Sequence, residues 1–86
     1  MKIEAIANID NKIFDCSGDL EIHSVKGPQA YVTWTLCSGD ILVASKSANY
    51  FVGRNYNELE LIQKIVNGIE NYRIGRRKIF NHVIVK

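Results

Sequence analysis

Residues 57–73 read NELELIQKIVNGIENYR, and this stretch decides the fold because it alone has helical periodicity. At about 100° per residue, Leu61, Ile62, Ile65, Val66, Ile69 and Tyr72 fall in one stripe, with Glu60, Lys64, Asn67 and Asn71 opposite. One face is therefore expected to pack and the other to meet water. Asn57 followed three residues later by Glu60 has the spacing of a capping box. Gly75, with Arg73, Arg76 and Arg77 around it, marks the expected helix end.

Working outward from the helix, the chain breaks into short β-rich runs at 3–9, 20–26, 31–37, 41–46 and 79–85. In the 31–37 run, Val32, Trp34 and Leu36 alternate with Tyr31, Thr33, Thr35 and Cys37, as a half-buried strand requires, so the first set is expected to meet the helix. Ser38-Gly39-Asp40 separates two such runs and predicts a hairpin, and Gly27-Pro28 predicts a turn. Asp10-Asn11 has two readings. It either turns a first hairpin, pairing 3–9 with 12–16, or is crossed by one long strand over 3–15 that carries both Asp10 and Asp15. Strands gathered before a lone helix and one strand after it predict an α+β domain over residues 1–86. Its mainly antiparallel sheet of about five strands should carry one helix on one face and end in a C-terminal strand.

With 86 residues, 47% of them apolar, the chain is long enough for one core and too short for two, since domains of this size bury only about 60% of their unfolded surface. The formal charge of +2 is too near neutral to make nucleic acid the default partner. Its distribution is lopsided. Residues 1–24 carry five acids against two lysines, net −3, while residues 73–86 carry five cations and no acid, net +5. Cys16 and Cys37 belong to no CxxC pair, which leaves zinc and thioredoxin-type chemistry without support and predicts two buried thiols. MKIEAIANID lacks the apolar core of a secretory signal, and no apolar run approaches the ~18 residues of a membrane span. The expected setting is the cytoplasm.

One chemical motif is a carboxylate set, Asp10 or Asp15 on an early strand with Glu58 or Glu60 at the helix start. Mg²⁺ and Mn²⁺ sites need several hard oxygen donors converging from different elements, so two acids supply half a site. The competing reading assigns Glu60 to the capping box, Glu58 to the helix dipole and Asp10 to a turn.

The succession KIFDCSGD, GPQAYVTWTLCSGDILVAS, NYNELELIQKIVNGIENY and HVIVK resembles the first half of the ribonuclease H-like fold. The resemblance implies a strand ending in a metal-binding Asp, a hairpin, a helix opening Asn-x-x-Glu-Leu and a final parallel strand. Carried over residue by residue, it implies Asp15 as the first metal-binding Asp, Asn57 as the helix-opening Asn and Glu60 as the helix Glu, with Mg²⁺ or Mn²⁺ as cofactor. The sequence departs from that pattern. Cys16 stands where the family has a glycine, residues 19–29 alternate like an added strand, and no acid follows Glu70 to supply the third ligand. The shorter partial domain of HicB-type antitoxins is similar in length.

The other candidate is the basic cluster Arg73, Arg76, Arg77 and Lys78, with Tyr72 and Phe80 beside it. Arginine pairs bidentately with phosphate or carboxylate, so the cluster suits an acidic protein surface or a nucleic-acid backbone. The plainer account is cations stabilised by a helix C-terminus. His23 and His82 lack any neighbour at metal-ligand spacing, no nucleophile-elbow sequence supports a Ser/His/Asp triad, and Gly53-Arg54-Asn55 is no phosphate-cradling loop. A small sheet with helix cover on one side also leaves an edge free for a second copy or a partner, which predicts a homodimer.

These features predict first a small, non-catalytic binding or inhibitory protein of the kind found on phages and mobile elements. It would occupy a larger protein through residues 73–78 or a sheet edge. The alternatives are a divergent ribonuclease H-like nuclease using Asp15 and Glu60, and a nucleic-acid-binding regulator or antitoxin.

Overall fold

The computed structural model describes residues 1–53 and 55–86, so the reading of Gly53-Arg54-Asn55 falls partly outside the described residues. The elements run β1 (Lys2–Ile9), β2 (Lys12–Lys26), β3 (Gln29–Ser38), β4 (Ile41–Phe51), α1 (Glu58–Glu70), β5 (Arg73–Ile74), β6 (Arg77–Lys78) and β7 (Phe80–Val85). The main sheet has the order β4-β3-β2-β1-β7 with every pair antiparallel, and β5 and β6 form a separate two-stranded hairpin. This is the α+β architecture the sequence predicts, with α1 on one face and β7 after it.

Asp10-Asn11 is a hairpin turn, and its backbone explains why the long-strand reading fails. Asp10 (φ 52°) and Asn11 (φ 65°) both occupy the left-handed region, as a two-residue type I′ turn requires and as Asp and Asn tolerate better than other side chains. β1 then pairs with β2 from Ile9↔Lys12 to Lys2↔Asp19. The runs expected at 12–16 and 20–26 are one continuous strand. Gly18, between those two runs, lies in the ladder opposite Ile3 and Leu36. A Cβ built there would stand 1.7 Å from the Thr35 carbonyl oxygen, so the glycine permits a close backbone approach within the sheet.

Alternation sorts the side chains into two layers. Ile3, Ala5 and Ala7 of β1, Cys16 and Leu20 of β2, and Val32, Trp34 and Leu36 of β3 are buried on one face. They form one core with Leu61, Ile65 and Ile69 of α1 and with Ile79 and Phe80. Full burial of a large apolar side chain contributes about 1.5–3 kcal/mol, so the predicted Val32/Trp34/Leu36 stripe is central to the fold. Trp34 meets Tyr72 edge-on, with centroids 5.4 Å apart at 82°, and Phe80 at 6.1 Å and 85°. Its buried indole N–H finds no acceptor among the described residues.

The helix is shorter than its periodicity predicts. Asn57 is the N-cap, with its Oδ1 accepting from Leu59 N at 2.9 Å, and α1 ends at Glu70 rather than residue 73. Asn71 N–H still donates to Asn67 O, but Tyr72 N donates to Ile69 O in a tightened last turn that carries the ring towards Trp34 and Phe80. Gly75 therefore does not close the helix. With φ 63° it turns the β5–β6 hairpin, Arg73↔Lys78 and Ile74↔Arg77, in the position where glycine is the residue of a type II′ turn.

The final strand differs from what the ribonuclease H-like resemblance implies. β7 pairs antiparallel with β1, because β1 lies between the Asp15-bearing β2 and β7. β1 takes the place beside β2 where the resemblance implies a parallel final strand.

Candidate functional site

The basic residues of 73–78 are brought together on the β5–β6 hairpin, and all four, Arg73, Arg76, Arg77 and Lys78, are exposed. None forms an ion pair with a described residue; the pairs among the described residues are Lys2–Asp19, Lys86–Glu4 and a longer His23–Glu21 contact. The helix-dipole account of the cluster also loses its basis, because no basic residue lies in the last turn of α1. Dipole stabilisation falls off within a turn. The hairpin is held at its base rather than swinging free. Asn8 N–H donates to Ile79 O at 2.9 Å, and Ile79 and Phe80, the next two residues, are buried in the core.

A cleft of ≈ 270 Å³ opens between this hairpin and the β1–β2 turn. Arg77 and Lys78 line it from the hairpin, and Asn8, Asn11 and Asn81 are also among its lining residues. Sequence reasoning missed these amides. Asn8 and Asn11 flank one turn, but Asn81 lies near the other end of the chain, and only the β1–β7 pairing brings it beside them.

The sheet face opposite α1 is bare and acidic. Residues facing away from the core include Glu4 on β1 and Asp15, Asp19 and Glu21 on β2, as the Lys2↔Asp19, Glu4↔Ser17 and Ile6↔Asp15 register dictates. Lys2 holds Asp19 at 2.7 Å, and its hydrogen bond and charge lower that carboxyl pKa. Lys86 holds Glu4 at 2.8 Å. A shallow depression of ≈ 470 Å³ on this face is lined by Glu4, Asp15, Ser17 and His82 among others.

Asp15 and Glu60 are not brought together. Asp15 faces outward from β2 beside the buried Cys16, whereas Glu60 lies in the first turn of α1, which covers the other face. The sheet separates the two carboxylates. No group of three or more His, Cys, Asp or Glu side chains among the described residues is placed to hold a metal ion. The donors that the resemblance implies for Mg²⁺ or Mn²⁺ therefore do not fit such a site.

The two sheet edges differ. β4 is long, but Lys46, opposite Trp34, projects from its middle on the helix-side face, and a lysine so placed opposes strand addition. β7 is short and irregular between Asn81 and Ile84, where His82 takes φ 51°. At the far end of the molecule an apolar groove of ≈ 560 Å³ lies among Val25, Gly27, Pro28, Gly53 and Tyr56.

Both thiols are free. Burial pushes the Cys16 thiol pKa up, with its Sγ 3.8 Å from Phe14 O, while Cys37, expected to be buried as well, is only half-buried because it alternates onto the bare face of the sheet opposite Ser17. No described helix is long and apolar enough to cross a membrane. Neither a protein-family model, nor a curated protein, nor a solved structure matches the chain.

Proposed function

We propose that this is a small, non-catalytic binding protein that occupies an acidic surface of a larger protein through the β5–β6 hairpin. The observation that carries the reading is the hairpin itself. Four cations stand exposed on a six-residue projection anchored in the core, with no partner for them among the described residues. Exposed charges so concentrated steer association and select partners of opposite sign. Strand addition at an edge, by a partner or a second copy, has less support, because Lys46 interrupts β4 and the irregularity at His82 interrupts β7.

Nucleic acid is the weaker choice of polyanion. The broad bare face of the sheet, where a strand of RNA or DNA would lie, carries Asp15 and Glu21, whose charges repel phosphate. The nuclease reading has no converging carboxylates to support it.

The test is capture from a lysate of the native host, using the wild-type chain and the Arg76→Glu, Arg77→Glu variant. A specific protein held by the wild type and lost by the folded variant supports the reading. Capture of that protein by both would remove the hairpin from the account.

A further inference from the structure

We infer that the cleft between the β5–β6 hairpin and the β1–β2 turn grips an extended acidic peptide segment; this rests on the hairpin reading and specifies its ligand. Three features of the cleft point to that chemistry. Its cations, Arg77 and Lys78, lie on one side only, so a ligand is asked for negative charge along one flank rather than all round. Its amides, Asn8, Asn11 and Asn81, each carry a donor and an acceptor, as the alternating N–H and C=O groups of an extended main chain require. Ile74, about half exposed, adds apolar surface for the β-carbons and methylenes of aspartate or glutamate side chains.

The same lining argues against a nucleotide chain. Binding of single strands relies on aromatic side chains as stacking platforms, and no Phe, Tyr, Trp or His lines this cleft. Asp10, also in the lining, would repel a phosphate on that side. Against a peptide it acts differently, keeping the acidic side chains on the Arg77 and Lys78 flank and so fixing how the segment lies.

Asn11 offers a clean probe, because its backbone and its amide are separable. Its φ of 65° suits glycine at least as well as asparagine, so Asn11→Gly keeps the turn while deleting the amide. Arg76, at the hairpin tip, belongs to the same charged surface but is absent from the cleft lining, so comparing it with Arg77 separates the cleft from the hairpin's general charge.

The experiment measures fluorescence anisotropy of a short labelled peptide of alternating glutamate and serine, titrated with the wild type and with Asn11→Gly, Arg77→Gln and Arg76→Gln. A single-stranded RNA of matched charge is run alongside. The expected result is saturable peptide binding, weakened about three- to tenfold by Asn11→Gly and by Arg77→Gln, and measurably less by Arg76→Gln, whose charge acts on the ligand only from outside the cleft. Should Asn11→Gly unfold, Asn81→Ser is read in its place. Equal losses from Arg76→Gln and Arg77→Gln with none from Asn11→Gly would overturn the cleft and leave the hairpin as a general charge patch. Tighter binding of the RNA than of the peptide would overturn the ligand class. Peptide binding indifferent to both arginines would remove the hairpin reading as well.

Discussion

The hydroxyl of Tyr50 occupies the space that a side chain on Gly68 would need: a Cβ built on Gly68 falls 2.6 Å from the Tyr50 oxygen. The next ring atoms stand at 3.5 and 3.6 Å, which is ordinary contact. The glycine in the middle of α1 is thus explained by β4 rather than by the helix. With Lys64 Nζ donating to Phe51 O at 2.6 Å, it sets how α1 lies against the end of that strand. Gly68→Ala is expected to destabilise the protein by about 1–2 kcal/mol, overpacking outweighing the gain in helix propensity. In a Tyr50→Phe background the same change should be neutral or stabilising by up to about 1 kcal/mol. Urea unfolding of the four members of the cycle measures both values.

Gly18→Ala should be far worse. The clash at 1.7 Å is with the backbone oxygen of Thr35, and that strand is held between two neighbours, so no side-chain rotation relieves it. A loss of about 3 kcal/mol or more, or failure to recover folded protein, is expected. A folded variant with an unchanged urea midpoint would show that β2 and β3 do not approach so closely.

The protein should weaken in alkali. Burial raises the pKa of both the Cys16 thiol and the Tyr50 phenol. Each is protonated in both states at neutral pH and ionises first in the unfolded chain, so its contribution is intact below the unfolded pKa and lost as pH rises above it. Urea midpoints should therefore fall from about pH 8.5 upward for the thiol and about pH 10 upward for the phenol. Cys16→Ala should flatten the first part of the fall and Tyr50→Phe the second. An unaltered pH profile in both variants would contradict the assignment. By the same burial, Cys37 should react with a thiol reagent before Cys16 does.

Removing the carboxylates singled out by the ribonuclease H-like resemblance should have no metal-linked consequence. Because the sheet separates Asp15 from Glu60, melting temperatures of the wild type, Asp15→Asn and Glu60→Gln should respond alike to Mg²⁺ or Mn²⁺. A metal-dependent rise in the wild type that either variant abolishes would restore a shared site.

Local chemistry made most of the fold legible. Alternation at 31–37 named the buried side chains of β3, the 3.6-residue period named Leu61, Ile65 and Ile69, and Asn57 named the cap. Glycine is where reading along the chain misled. Gly75 resembles a helix end but turns a separate hairpin. The error arises because glycine signals backbone freedom without saying which element uses it. The four cations were visible as a cluster, but their setting was not. Their release from the helix depends on Tyr72 turning in to meet Trp34, and the amides of Asn8, Asn11 and Asn81 meet only through strand pairing.

The central claim is that the β5–β6 hairpin is the surface that meets a partner. Its most direct test is site-specific photocrosslinking in cells of the native host, with the photoreactive residue placed in turn at Ile74 on the hairpin, Ser47 on the bare sheet face and Leu59 on the solvent side of α1. A discrete crosslinked protein from Ile74, with none from the other two positions, is the predicted result. Crosslinks from Ser47 or Leu59 with none from Ile74 would contradict it.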